Sequence, residues 1–196
     1  MRDVYEVLKE KGITLPQPPA KGGVYTPVQE LGEKFLYCSG CGPDLGNGNT
    51  VVGKLGKDLT VEDGQKAAYN CVLNLLANLN EKTGDLNRIK RFVKVLAFVN
   101  SADDFGMQPQ VVNGGSNLIA GLFGEEAGLP ARSAIGTNAL PGGIACEIEV
   151  LVKREHINRN QESGRDGRKY GFVPVRFLSV FKLFLVLSIS LIPYVL

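Results

Sequence analysis

Residues 60–79, TVEDGQKAAYNCVLNLLANL, and the later stretch 91–100, RFVKVLAFVN, decide the fold class. In the first, Ala68, Cys71, Val72, Leu75, Leu76 and Leu79 recur at helical spacing and form one apolar stripe. Thr60 with Asp63 three residues on gives the start signal, and Gly84 suits the left-handed residue that closes a helix. The second stretch is so apolar and β-branched that it reads as a well-buried strand.

The same alternation continues outward. Residues 108–123 repeat the helical spacing with Val111, Val112, Leu118, Ile119, Leu122 and Phe123, weakened by Gly114 and Gly115. Residues 131–140 and 144–152 read as two strands around the turn Leu140-Pro141-Gly142-Gly143. Upstream, 3–11 reads as a short amphipathic helix with Val4, Val7 and Leu8 on one side. Residues 15–23, with Pro16, Pro18 and Pro19, form an extended connector; 24–28 and 35–39 read as short strands; 40–48 reads as a loop. The order predicts an α+β domain, a single sheet with two long helices on one face. The last strand sets Cys146, Ile148, Val150 and Val152 against Ala145, Glu147, Glu149 and Leu151. Its second face is mixed, as where a cleft or second subunit lies opposite, so a homo-oligomer is expected.

With 44% hydrophobic and 21% charged residues, the 196-residue chain has the mixture of a folded domain rather than a disordered one. Its one His, His156, lies past the last predicted strand, so the body must work without imidazole. That excludes Ser-His-Asp, Cys-His and multi-His metal chemistry there. Residues 1–152 hold 14 Lys and Arg against 17 Asp and Glu, net −3, and carry no basic field to draw nucleic acid. Residues 153–176 are basic and polar and read as a linker. Residues 177–196, FLSVFKLFLVLSISLIPYVL, hold one charge, Lys182, and are just long enough to cross a bilayer. Two readings of this tail stand: a C-terminal membrane anchor with its basic flank in the cytosol, or an extension foreign to the domain. The charged start, residues 1–11, lacks a signal-peptide core, so the four Cys are expected as free thiols in a reducing, cytoplasmic compartment.

Three local patterns invite chemistry. Cys38-Ser39-Gly40-Cys41 is a CxxC, but no second pair completes a zinc set, and Gly42-Pro43 follows where a redox motif opens a helix. It reads as two incidental thiols. Residues 48–55, GNTVVGKL, nearly spell a phosphate loop, but Leu55 replaces the magnesium-binding hydroxyl and no helix follows. Arg132 is the third, a lone guanidinium on an expected central strand of an acidic domain, where it needs an anionic partner. That partner is either Glu147 or Glu149 across the hairpin, or the carboxylate of a bound ligand gripped bidentately.

These residues carry a likeness. Tyr37-Cys38-Ser39-Gly40, the segment 52–60, Gly64-Gln65, residues 93–100 with Asp104-Phe105, and Asn113-Gly114 take part. Above all, Pro130-Ala131-Arg132-Ser133-Ala134 is followed by Leu140-Pro141 and Glu147-Ile148-Glu149. The chain from about 12 to 152 resembles the RidA family, also called YjgF or endoribonuclease L-PSP, and looks closest to its chorismate-mutase-like branch. The resemblance implies a homotrimer with a central barrel of sheets and three clefts between subunits. It implies hydrolytic deamination of reactive 2-imino or 2-enamino acids to 2-keto acids and ammonia, with no cofactor and no metal. Arg132 would bind the substrate carboxylate and Glu147 would position water. Ser39, Gly40, the backbone at Ala134, Tyr25 and Asn113 would line the pocket. Three departures are visible: Ala134 stands where a Cys is common, Cys41 where a Gln is usual, and the spacing from Tyr25 to Ser39 is one residue longer than in the best-known members. The alternatives are a trimeric metabolite-binding module without turnover, which Ala134 favours, and a ribonuclease or translation inhibitor, which the acidic body opposes.

Overall fold

The computed structural model describes residues 2–155. Apart from its first three residues, the expected linker at 153–176 lies outside them, as does the apolar segment 177–196. Among the described residues no helix is long and apolar enough to cross a membrane.

The chain opens with α1 (Val4–Glu10), whose cap Asp3 accepts hydrogen bonds from the Tyr5 and Glu6 N–H groups. Val4, Val7 and Leu8 are buried. Strands β1 (Val28–Leu31) and β2 (Phe35–Cys41) pair antiparallel. The expected strand at 24–28 starts only at Val28. Pro27 has no N–H for a ladder, and Val24 is fully exposed. The expected loop at 40–48 is also corrected. β2 continues to Cys41, and β3 (Asp44–Gly46) and β4 (Asn49–Thr50) form a small ribbon. Its turn is Asn47-Gly48, both at positive φ (54° and 76°), the conformation that an Asn-Gly hairpin favours.

Helix α2 (Val61–Thr83) starts at a reciprocal capping box between Thr60 and Asp63 and ends at Gly84 with φ 70°. The expected buried strand is β5 (Ile89–Asn100). Helix α3 (Gln108–Gly128) follows, then β6 (Ala131–Thr137) and β7 (Cys146–Arg154). The sheet order is β1-β2-β7-β5-β6, with only the β5–β6 pair parallel. The two last strands are therefore no hairpin. α3 is the crossover of a β5-α3-β6 unit, which puts β6 at the edge, and the chain then passes back to lay β7 on the other side of β5.

Both long helices cover one face. Their stripes close over Val95, Ala97 and Val99 of β5 and Ile148, Val150 and Val152 of β7, all buried. The helices meet closely at Gly114 and Gly115. A side-chain carbon at Gly114 would overlap the Gln65 carbonyl, and one at Gly115 would sit 2.7 Å from Val72. The glycines that weaken α3 as a helix are what let it pack.

Candidate functional site

Arg132 pairs in register with Val95, so it lies on the helix side of the sheet, at the edge. α3 supplies its partners. Nη1 donates to Asn113 Oδ1 at 2.8 Å and Ser116 Oγ at 3.0 Å, and Nη2 donates to the Pro109 carbonyl at 3.3 Å. All three acceptors are neutral. Among the described residues no carboxylate pairs with this guanidinium, which leaves its Nε–H and one Nη2–H for a ligand. The ion pair across a hairpin is thereby overturned, because β5 separates β6 from β7. Ala134, two residues on, shares the face of Arg132 and packs at the rim of the core.

The second group forms where β2 bulges. Cys38 opposes Val150 and Cys41 opposes Ile148, so β2 spends one extra residue between them. The bulge lets both thiols face inward, and both are buried and free. It also holds Ser39 and Gly40 at the surface. The Ser39 N–H donates to the Pro27 carbonyl at 2.8 Å, and its hydroxyl to the Thr26 carbonyl at 2.9 Å. Gly40 lies against Glu147, where any side-chain carbon would overlap the carboxylate. Burial, and then the neighbouring Glu149 charge, hold the Glu147 carboxyl above its usual range. The Tyr37 hydroxyl donates to Glu149, and that bond, with burial, pushes Tyr37 up to about 12.

Tyr25, Ser39, Gly40 and Cys41 line a cavity of about 260 Å³, together with Asp44, Thr50 and Asn78. The structure thus gathers Tyr25, Ser39 and Gly40 in one pocket with Glu147 behind Gly40, and Arg132 with Asn113 and Ala134 at the β6 edge. It does not bring the two groups together in one copy. Phe98 pairs with Glu147 and Val95 with Arg132, an odd offset that puts the two on opposite faces with β5 between their strands.

Several of these partners escaped the sequence reading. Ser116 lies three residues from Asn113 on one helix, a spacing that could have signalled it. Asn74 and Asn78, four apart, are buried polar residues beside an apolar stripe, and Asn78 Nδ2 donates to Cys41 Sγ at 3.3 Å. The near-phosphate loop spends its lysine on the protein itself, with Lys54 Nζ donating to the Asn138 carbonyl at 2.5 Å and the Ser101 carbonyl at 3.4 Å. Among the described residues no three His, Cys, Asp or Glu side chains are placed to hold a metal.

A family model described as "YjgF/chorismate_mutase-like, putative endoribonuclease" matches residues 6–153. The protein TCP17 of Trypanosoma cruzi is 42% identical over 146 residues, 74% of this chain and 91% of its own. Atu1372 of Agrobacterium tumefaciens, of unknown function, has 38% identity and a TM-score of 0.70, covering 78% of this chain and 92% of its own. A candidate endoribonuclease from Shewanella oneidensis has 29% identity and a TM-score of 0.73, covering 78% and 99%. With its β5-α3-β6 crossover and a family match spanning nearly all the described residues, this chain belongs to the YjgF/chorismate mutase-like family.

Proposed function

We propose that this chain hydrolyses reactive 2-imino and 2-enamino acids to 2-keto acids and ammonia, as a homotrimer whose sites lie between neighbouring copies. The observation that carries this reading is Arg132, a cation fixed by three neutral acceptors with no carboxylate beside it among the described residues. Such a group is pre-oriented for an anion, and its planar fork suits a carboxylate. The β6 edge of one copy would bring it to the Ser39-Gly40-Glu147 group of the next.

The chemistry asks little of the protein. The C2 carbon of an iminium acid is already electrophilic, so orientation and one positioned water are enough. Arg132 holds the substrate carboxylate. Glu147 takes a proton from the water as its oxygen bonds to C2. Glu147 returns that proton to the nitrogen, the C2–N bond breaks to release ammonia, and the carbinolamine hydroxyl loses its proton to leave the keto acid. A carboxylate whose affinity for protons is raised by burial is a better base for this step than an ordinary glutamate.

A second reading, a trimeric module that binds a small carboxylate without turnover, draws support from Ala134 in place of a pocket thiol. The endoribonuclease reading draws none from the domain's charge, since residues 1–152 are net negative and lack His. The test generates 2-iminobutanoate in situ from threonine with a dehydratase and follows its decay. The deaminase reading expects acceleration that Arg132→Ala abolishes. Saturable binding of 2-ketobutyrate without acceleration would favour the binding module instead.

A further inference from the structure

The cavity beside Ser39 and Gly40 is rich in hydrogen-bond acceptors. Ser39 and Thr50 line it, and each spends its hydroxyl proton on a backbone carbonyl, Thr26 at 2.9 Å and Pro43 at 3.1 Å. Each has only lone pairs left to offer. Asp44 accepts the Gly46 N–H at 2.7 Å through Oδ1. Among the described residues its other oxygen has no hydrogen bond and no cation pairs with it. Asn78, 5% exposed, gives Nδ2 to Cys41 and leaves Oδ1 without a partner. Among the described residues no Lys or Arg lines the cavity. Apart from the Tyr25 hydroxyl and the Asn78 amide, the oxygen-bearing side chains of its wall, Ser39, Thr50 and Asp44, are acceptors.

A wall of unspent acceptors favours a donor. An aliphatic group seated there would strip water from Asp44 and return no hydrogen bond, and an anionic group would meet the Asp44 charge directly. A guanidinium or amide would satisfy it. We propose, resting on the imine-hydrolase reading, that this cavity is the side-chain subsite and selects 2-imino acids whose side chain ends in a hydrogen-bond donor. The substrate would then lie with its carboxylate on Arg132 of the neighbouring copy and its donor tail toward Asp44.

The test compares imines generated by an L-amino acid oxidase from arginine and from leucine, trapping the imine that survives with semicarbazide. Wild type should favour the arginine-derived imine by about tenfold or more in kcat/KM, and Asp44→Asn should bring that ratio toward one. Circular dichroism confirms that the variant is folded. In a parallel arm, calorimetry compares 5-guanidino-2-oxopentanoate with 4-methyl-2-oxopentanoate, and the first should bind about tenfold more tightly. Equal treatment of the two side chains, or a ratio indifferent to Asp44→Asn, overturns the subsite. If neither imine is accelerated, the hydrolase reading fails, and the calorimetric ratio alone decides whether the cavity selects donors.

Discussion

At the scale of single residues, Glu147 costs the fold stability. Its carboxyl is harder to ionise in the folded chain than in the unfolded one, through burial first and Glu149 second. The ionised group therefore opposes folding at neutral pH. That penalty fades as pH falls through the raised folded value and is gone below the ordinary glutamate value. Glu147→Gln should melt higher than wild type at pH 7, with the gap closing near pH 4, as scanning calorimetry would show. The same change should lower kcat/KM for imine hydrolysis by about 10²-fold. Wild-type activity should fall on the acid side with an apparent pKa above the usual glutamate range. A variant that is less stable at pH 7 would remove the assigned cause. Sequence made Arg132 visible because a lone cation in a strand of an acidic domain asks for a partner. It could not show which partner, since that depends on β5 lying between two strands that are neighbours along the chain.

At the scale of elements, the α2–α3 contact reverses the usual sign of a glycine substitution. Gly→Ala in a helix interior ordinarily gains about 0.5–1 kcal/mol. At Gly114 the new methyl would overlap the Gln65 carbonyl, a backbone atom that cannot swing aside. Gly114→Ala should cost about 1–3 kcal/mol by urea unfolding. Gly121→Ala, on the same helix, meets only the Lys11 side chain at 3.6 Å and should instead stabilise by about 0.5–1 kcal/mol. Matching effects at the two positions would show that helix propensity, not packing, dominates there. Both long helices and the buried strand were legible because period and capping are local, the Thr60–Asp63 box most of all. The β3–β4 ribbon was missed because an Asn-Gly turn was read as loop composition rather than as a hairpin. The β6–β7 hairpin was wrongly expected because adjacency along the chain says nothing about a third strand entering between.

At the scale of the whole molecule, one copy is an unfinished surface. Opposite the helices the sheet presents Tyr37 and Ile135, 41% and 47% exposed, beside Leu96, Phe98 and Leu151, which are only half-buried. On that face lies Glu147, while Arg132 sits at the edge strand on the other. If neighbouring copies complete each other's sites, two inactive variants should rescue one another. Arg132→Ala retains a working Glu147 group, and Glu147→Gln retains a working Arg132. In every trimer that holds both variants, one of the three sites is whole, with Glu147 from the first variant and Arg132 from the second, which recovers about one third of wild-type activity. Co-expression with two tags, isolation of doubly tagged trimers and the imine-decay assay measure this directly. Activity no higher than the sum of the parents would mean that the two groups never meet across a subunit boundary. Arg132 would then be left holding an anion far from any base.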